Sequence, residues 1–169
     1  DFPGVPLHWH DELELVVIKR GQGFVSVDFD KRLVHSGDII IIPPRCLHAI
    51  EQDDTFKMEY ENIIFKPDLL SSGANDLCMI QYIVLLDGSL PIEYFLTPAL
   101  GSFEALSNCI RQIDLVCADQ TPGWQLAVKS SLFNFFFLLI SERQKKTVST
   151  SSNSKSLEKM KTVLKYVEN

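Results

Sequence analysis

The chain has 169 residues, 46% of them hydrophobic and 22% charged, which supplies enough apolar side chains for one compact core and excludes a disordered protein. Its net charge of −6 is uneven, because residues 1–98 hold 16 acidic and 7 basic residues, whereas residues 99–169 hold 6 acidic and 9 basic ones. An acidic segment repels a phosphate backbone, so residues 1–98 are excluded as a nucleic-acid-binding surface.

Short predicted strands fill the first part of the chain. Runs rich in β-branched residues alternate with glycine, aspartate and proline turns at residues 13–18, 24–29, 33–35, 38–42 and 59–65, with one of the turns at residues 30–31. This spacing is typical of a β-sandwich or barrel. Residues 66–98 are less regular, and residues 77–86 fit a strand and a helix equally well.

The apolar spacing becomes helical after residue 98. Apolar residues that recur at intervals of three or four predict a first helix: Phe103, Leu106, Ile110, Ile113 and Cys117. A second helix, from Pro122 to about Arg143, is apolar almost all round near its end, so it is either deeply buried or shared with another chain. Residues 145–156 predict a polar, flexible linker. Residues 157–169 begin another amphipathic helix, from which we expect the chain to be part of a longer protein.

Targeting and redox features are plain. No stretch reaches the roughly 18 uncharged apolar residues that a membrane span needs, and no signal-peptide pattern is present. The four cysteines lack metal-type or redox spacing: Cys46, Cys78, Cys109 and Cys117. We therefore expect a cytoplasmic protein with free thiols and no membrane partner.

Four residues near the N-terminus form a candidate pocket. On an extended strand His8, His10 and Glu14 share one face, and a second strand that ends in His48 can bring a fourth group beside them. Three imidazoles and a carboxylate are a plausible ligand set for a divalent transition metal such as Mn, Fe, Ni, Zn or Cu. The alternative, which we favour, is a polar pocket wall that needs no metal.

Three more residues are candidates for contact with a ligand. Trp9 faces the other way on an ideal strand, which favours core packing over stacking on a sugar-like ligand at the barrel mouth. Arg45, in the loop before His48, either pairs with an anionic ligand or, as we favour, is solvated. Glu59 and Tyr60 alternate on a later strand, and the sequence leaves open which of them faces the cavity.

These residues and spacings resemble the two motifs of the cupin superfamily. The first is H-x-H, three residues, Glu14, six residues and Gly21; the second is Gly37, five residues, Pro43 and then His48. The sequence departs from the motif at Arg45, where glycine is usual, and at Gln52, where asparagine is usual.

The whole chain resembles the N-terminal sensor domain of AraC-type transcription regulators. Besides the motif, the resemblance is carried by the phrase Ile-Phe-Lys-Pro-Asp-Leu-Leu at residues 64–70, the helical pair and the polar linker. It implies a mainly β fold with C-terminal helices: a cupin-like double-stranded β-helix (jelly-roll) barrel at residues 1–98 and an antiparallel helical pair at residues 99–144. A linker at residues 145–156 and the start of a truncated helix-turn-helix domain at residues 157–169 follow.

The resemblance also implies a function and a partner. The chain is expected to sense a small, sugar-like effector, to dimerise through the helical pair, and to reach DNA only through a C-terminal domain beyond residue 169. We assign the effector site to His8, Trp9, His10, Glu14, Arg45, His48 and Tyr60, with no cofactor required. We assign the homodimer interface to Phe103, Leu106, Ile110, Ile113, Leu132, Phe133 and Phe136.

A second hypothesis is a metal-dependent cupin enzyme, such as a dioxygenase, isomerase or decarboxylase. In that enzyme His8, His10, Glu14 and His48 would hold the metal. The linker and the final helix have no place in it, so we expect a sensor without catalytic residues.

Overall fold

A computed structural model describes residues 4–52, 57–71, 77–78, 81–82 and 93–149. Its strands are β1 (Gly4–His8), β2 (Leu13–Arg20), β3 (Gln22–Val27), β4 (Asp30–His35), β5 (Ile39–Ile42), β6 (His48–Gln52), β7 (Glu59–Phe65) and β8 (Phe95–Leu96). They form two antiparallel four-stranded sheets with the orders β1-β6-β3-β4 and β7-β2-β5-β8. Helices α1 (Phe103–Asp119) and α2 (Trp124–Ser149) follow, which confirms the predicted jelly-roll barrel with a C-terminal antiparallel helical pair.

Side chains of both sheets fill the barrel interior. The interior cluster takes Val16, Ile18, Ile40 and Ile42 from one sheet and Val25, Val27, Val34 and Ile50 from the other. Their neighbours Leu13, Leu15, Ile39 and Ile41 point the opposite way, into a second cluster shared with α1 and α2. Strands β2 and β5 are covered on both faces. Apolar residues therefore follow one another along these strands instead of alternating with polar ones.

The sequence pattern missed three strands, β1, β6 and β8, and misplaced one turn. β1 contains Gly4 and Pro6, which weaken a strand pattern, but it lies at a sheet edge, where proline is tolerated. β6 begins at His48, so the prediction of a strand ending there was wrong. The β3–β4 hairpin turns between Val27 and Asp30 rather than at residues 30–31, because Asp28 adopts the left-handed conformation that aspartate tolerates.

The helical pair extends further than predicted. α1 has the expected seam, with Leu106, Ile110 and Ile113 buried. α2 continues to Ser149 and includes the first five residues of the segment predicted as a linker, where Gln, Lys and Lys at 144–146 favour a helix. The remainder of that segment and the predicted helix at residues 157–169 lie outside the described residues, as does most of the ambiguous segment 77–86.

The assigned dimer interface is wrong for five of its seven residues. Leu106, Ile110, Ile113, Leu132 and Phe136 are buried inside one chain, where α1, α2 and the outer face of the β7-β2-β5-β8 sheet meet. Side chains that fill their own chain's core are unavailable to a second copy. Phe103 packs against the same core, and Phe133 remains exposed.

Helix α2 is also apolar enough to need a separate explanation. By length and hydropathy alone its segment Trp124–Glu142 would suffice to cross a membrane. In the structure this segment buries Leu132, Phe135 and Phe136 against the sheet and α1. Only 22% of the segment is buried, so core packing accounts for one face of α2, while Leu126 and Phe137 stay exposed on another.

Candidate functional site

The structure brings His8, His10, Glu14 and His48 together at one end of the barrel. They do not come from a single strand as predicted: His8 ends β1, His10 lies in the loop at residues 9–12, and Glu14 is the second residue of β2. His48 begins β6 and pairs directly with His8. The ring centroids of His8 and His48 lie 4.1 Å apart, and those of His10 and His48 lie 4.9 Å apart.

Each imidazole is oriented by a backbone carbonyl. Nδ1 lies 2.9 Å from Pro6 O in His8, 3.0 Å from Glu12 O in His10 and 3.0 Å from Cys46 O in His48. A carbonyl oxygen only accepts hydrogen bonds, so Nδ1 of each ring carries the hydrogen and Nε2 is left for other partners. Ring nitrogens of the three histidines lie within 4.8 Å of one another.

Glu14 completes this histidine pocket as a buried carboxylate. Its Oε2 lies 2.9 Å from His10 Nε2 and 3.4 Å from His48 Nε2. Burial alone would raise the pKa of Glu14, but His48 and His10 outweigh that effect and hold it below its usual value. Glu14 therefore carries its negative charge inside the barrel, stabilised by the imidazoles.

His48 is the most deeply buried of the three histidines. Its Nε2 has no partner with hydrogen-bond geometry among the described residues, although Glu14 lies nearby. Burial would lower the pKa of His48, but the Glu14 carboxylate and the Cys46 carbonyl outweigh it, so the pKa is raised. A buried ring nitrogen without a hydrogen bond is costly, which makes it a natural contact point for a ligand.

The structure decides two alternatives that the sequence left open. Tyr60 pairs with Ile18 across the sheet and packs against the barrel interior, whereas Glu59 is exposed and lies near Arg20. Burial and the Glu14 charge raise the pKa of the Tyr60 phenol, which therefore stays neutral at pH 7. Trp9 is 59% exposed, so the expectation of core packing was wrong. Trp9 lies in a loop, where strand alternation does not apply.

Arg45 lies at the edge of the pocket in an unusual conformation. Its φ of 65° is left-handed. Its amide donates to His10 O at 2.7 Å, and its guanidinium Nε donates to Asp11 Oδ1 at 2.9 Å. Arg45 was expected to be solvated, and it is exposed, but it pairs with Asp11.

The sequence did not identify every residue that shapes the pocket. The carbonyls of Pro6, Glu12 and Cys46 set the three rings, and no sequence signal could reveal them because every residue has a carbonyl. Cys46 is buried beside Asp28, and burial together with that carboxylate raises the pKa of its thiol to about 11. Cys46 is therefore a neutral wall residue rather than a reactive thiolate.

A separate apolar cavity lies on α2. Its volume is about 310 Å³, and it is lined by Cys78, Tyr82, Phe133, Phe136, Phe137, Ile140 and Ser141. Phe136 belongs to the core on the outer face of the β7-β2-β5-β8 sheet, whereas Glu14 points to the interior side of that sheet with Val16 and Ile18. The cavity and the histidine pocket therefore lie on opposite sides of one sheet.

Comparison with known proteins matches most of the chain to one family, the one that the sequence motifs resemble. Residues 3–136 match the family model described as AraC-like ligand binding domain. Two curated Bacillus subtilis (strain 168) proteins, both named uncharacterized HTH-type transcriptional regulators, also match. YbfI is 23% identical over 101 residues, covering 60% of this chain and 37% of its own length. YdeC is 32% identical over 68 residues, covering 40% of this chain and 23% of its own length.

Two solved structures are similar to part of this chain. A cupin protein from Bacteroides fragilis is 27% identical, with a TM-score of 0.39, and the match covers 43% of this chain and 64% of that one. The plu4264 protein from Photorhabdus luminescens is 25% identical, with a TM-score of 0.32, covering 35% and 48% of the two chains. The chain spans less than two fifths of the length of the two curated regulators it matches.

Proposed function

The chain belongs to the family of AraC-like ligand-binding domains, and from this we propose that it senses a small-molecule effector for a transcription regulator. The observation that carries the proposal is the histidine pocket, in which three carbonyl-oriented imidazoles and a buried carboxylate converge at the barrel end. Burying the Glu14 carboxylate and the His48 imidazole in an apolar barrel costs free energy, and a role in ligand binding would explain why they are there. That the two curated relatives are named as transcription regulators favours binding over catalysis.

The proposed effector site consists of the pocket and its edge. His8, His10, His48 and Glu14 offer donors and acceptors at the floor, and the half-buried Tyr60 extends the wall into the barrel. At the edge, Trp9 exposes an indole face. A sugar or sugar derivative is the first class to test, because hydroxyls suit the polar floor and a sugar face stacks on an exposed indole. Arg45 would add recognition of an anionic group.

A thermal-shift screen of sugars, organic acids and amino-acid derivatives tests this proposal, since a bound ligand raises stability by mass action. We expect a hit whose effect is lost in His8→Ala and reduced in Trp9→Ala. Phe29→Ala is the matched control, because Phe29 is an exposed aromatic residue on the β3–β4 turn. Hits that stabilise His8→Ala as much as the unmodified protein would contradict an effector site at the histidines.

A divalent transition metal is a second candidate ligand for the same pocket. The residues fit it, because each Nδ1 is held by a carbonyl, the arrangement that orients histidine ligands in metal sites, and ring nitrogens of all three histidines lie within 4.8 Å of one another. His8, His10 and His48, with Glu14, would hold the ion, which would supply a Lewis-acid centre for an oxygen-bearing effector. Metal analysis after attempted loading with Co²⁺ or Ni²⁺ tests it; less than about 0.1 equivalent would contradict it.

We further propose that the domain is a homodimer through the exposed face of α2 rather than through the residues first assigned. Leu126 is 73% and Phe137 is 64% exposed, and Phe133 lies between them on the same stripe. This stripe borders the 310 Å³ cavity, and a second copy of the chain would cover both. Sedimentation of the full chain should show a dimer that Phe133→Glu with Phe137→Glu converts to a monomer. Phe29→Glu is the control, and a dimer that survives the α2 double substitution would contradict this interface.

A further inference from the structure

We propose that Asp11 and Arg45 are a positioning pair that sets the geometry of the histidine pocket. The inference rests on the proposed function, because it concerns the same pocket, and it assigns the pair a role in ligand affinity rather than in stability. Their side chains bond to each other at the pocket edge, and the Arg45 amide contacts the backbone of His10. Both act through the two loops that carry the histidines.

The two loops at the pocket edge are joined at two points. The loop at residues 9–12 carries His10, and the loop at residues 43–47 leads directly into His48. Arg45 joins them through its amide, which donates to His10 O at 2.7 Å, and through its guanidinium, which donates to Asp11 Oδ1 at 2.9 Å. These two contacts hold the loops at a defined separation. They therefore also restrict the distance between the His10 and His48 imidazoles.

The backbone conformation of Arg45 indicates that its side chain serves the contact with Asp11. With φ at 65°, Arg45 occupies a left-handed conformation that glycine adopts freely and that a residue with a Cβ adopts at a cost in free energy. A side chain at this position costs stability, so an advantage elsewhere has to explain it.

Stability does not supply that advantage. The Arg45 and Asp11 side chains are 78% and 65% exposed, and ion pairs at such exposure contribute little to folding. The pair's benefit is geometric, since the side-chain bond adds a second connection between the loops and narrows the range of positions of His10 and His48. Both rings are otherwise oriented by carbonyls of the same loops, Glu12 O and Cys46 O, so fixing the loops fixes the rings.

The test compares matched variants of the full chain. Arg45→Gly removes the side chain and relieves the left-handed backbone, and Asp11→Ala removes the partner. The exchange Asp11→Arg with Arg45→Asp restores the pair and places aspartate, which tolerates this conformation, at residue 45. Arg20→Ala is the control, because Arg20 and Glu59 form an equally exposed ion pair elsewhere on the barrel.

Two readouts separate positioning from folding. In the metal-free protein, ¹⁵N spectra of the histidine side chains at fixed pH should show the Nε2 signals of His10 and His48 broadened or shifted in Arg45→Gly and Asp11→Ala. The melting temperature of Arg45→Gly should change by less than about 3 °C. With Co²⁺ as the probe, calorimetry should show affinity roughly tenfold weaker in both single variants, near wild type in the exchange variant and unchanged in Arg20→Ala.

The outcomes are decisive in each case. Wild-type ring spectra in Arg45→Gly, or an exchange variant that folds but does not restore them, would overturn the proposal. If the unmodified protein does not bind Co²⁺, metal binding by the pocket fails, and the ring spectra alone decide the positioning role. Parallel loss of stability and affinity in both single variants would show a merely structural role and would also overturn it.

Discussion

Replacing Glu14 with glutamine removes the charge on which the histidine pocket depends. Glu14 is buried, and its Oε2 lies 2.9 Å from His10 Nε2 and 3.4 Å from His48 Nε2. Loss of a hydrogen-bonded partner for a buried charged group costs about 1–3 kcal/mol, and up to about 5 kcal/mol when the remaining charge is left unpaired. The glutamine amide keeps one acceptor, so we expect the lower part of that range.

The cost of Glu14→Gln should depend on pH with a defined sign. The pKa of Glu14 is lowered from 4.5 in the fold, so its contribution to stability is present above pH 4.5 and is lost as the pH falls through its folded pKa. The pKa of His48 is raised from 6.5, so its contribution is full below pH 6.5 and is lost as the pH rises through its folded pKa. The Glu14–His48 pair therefore stabilises the fold most between about pH 4.5 and 6.5.

Urea unfolding of the metal-free full chain, with EDTA present, measures this dependence. We expect the difference in unfolding free energy between the unmodified protein and Glu14→Gln to be larger at pH 5.5 than at pH 8.5. Glu59→Gln is the matched control, because Glu59 is an exposed glutamate near Arg20 and should show almost no difference at either pH. A difference that is absent, or that is larger at pH 8.5, would refute the electrostatic account of the pocket.

Four further substitutions test other parts of the structure. Asp114→Asn should leave the unfolding free energy at pH 7 unchanged or slightly higher, because burial and Glu61 together outweigh Lys19 and raise the pKa of Asp114; clear destabilisation in urea would contradict this. Leu132→Ala, in the core between α2 and the sheet, should cost about 2–5 kcal/mol, whereas Leu126→Ala on the exposed face of α2 should cost less than about 1 kcal/mol when measured in the monomeric double variant. Trp9→Ala should weaken binding of a sugar found in the screen without lowering the melting temperature of the free protein, and a fall in that temperature would indicate a packing role for the indole.

The sequence predicts the barrel and the helices well where burial alone decides the pattern. β2 and β5 are covered on both faces and α1 on one, so apolar runs and a three-four spacing identify them. Strand β1 was not predicted because Gly4 and Pro6 weaken a strand pattern. They are tolerated at its edge position, which is a property of the assembled sheet. The end of α2 was not predicted because its last residues are polar. They continue a helix whose earlier residues are fixed by packing.

The candidate site was predictable in its members and less so in its geometry. Spacing alone suggested that His8, His10, Glu14 and His48 gather, but strand alternation gave the wrong reason, because His10 lies in a loop. The same error placed Trp9 in the core. Helical periodicity also cannot tell a core face from an interface, and for that reason Leu106 and Phe136 were assigned to a dimer contact although one chain buries them.

The central claim, that the histidine pocket binds the effector, is tested most directly by ¹⁵N spectra of the histidine side chains during titration with the best small molecule from the thermal screen. We predict that the Nε2 signals of His8, His10 and His48 shift with saturation, while the signal of His35, which is exposed on β4, does not. A ligand that saturates the protein, raises its melting temperature and leaves the three pocket signals unmoved would contradict the claim.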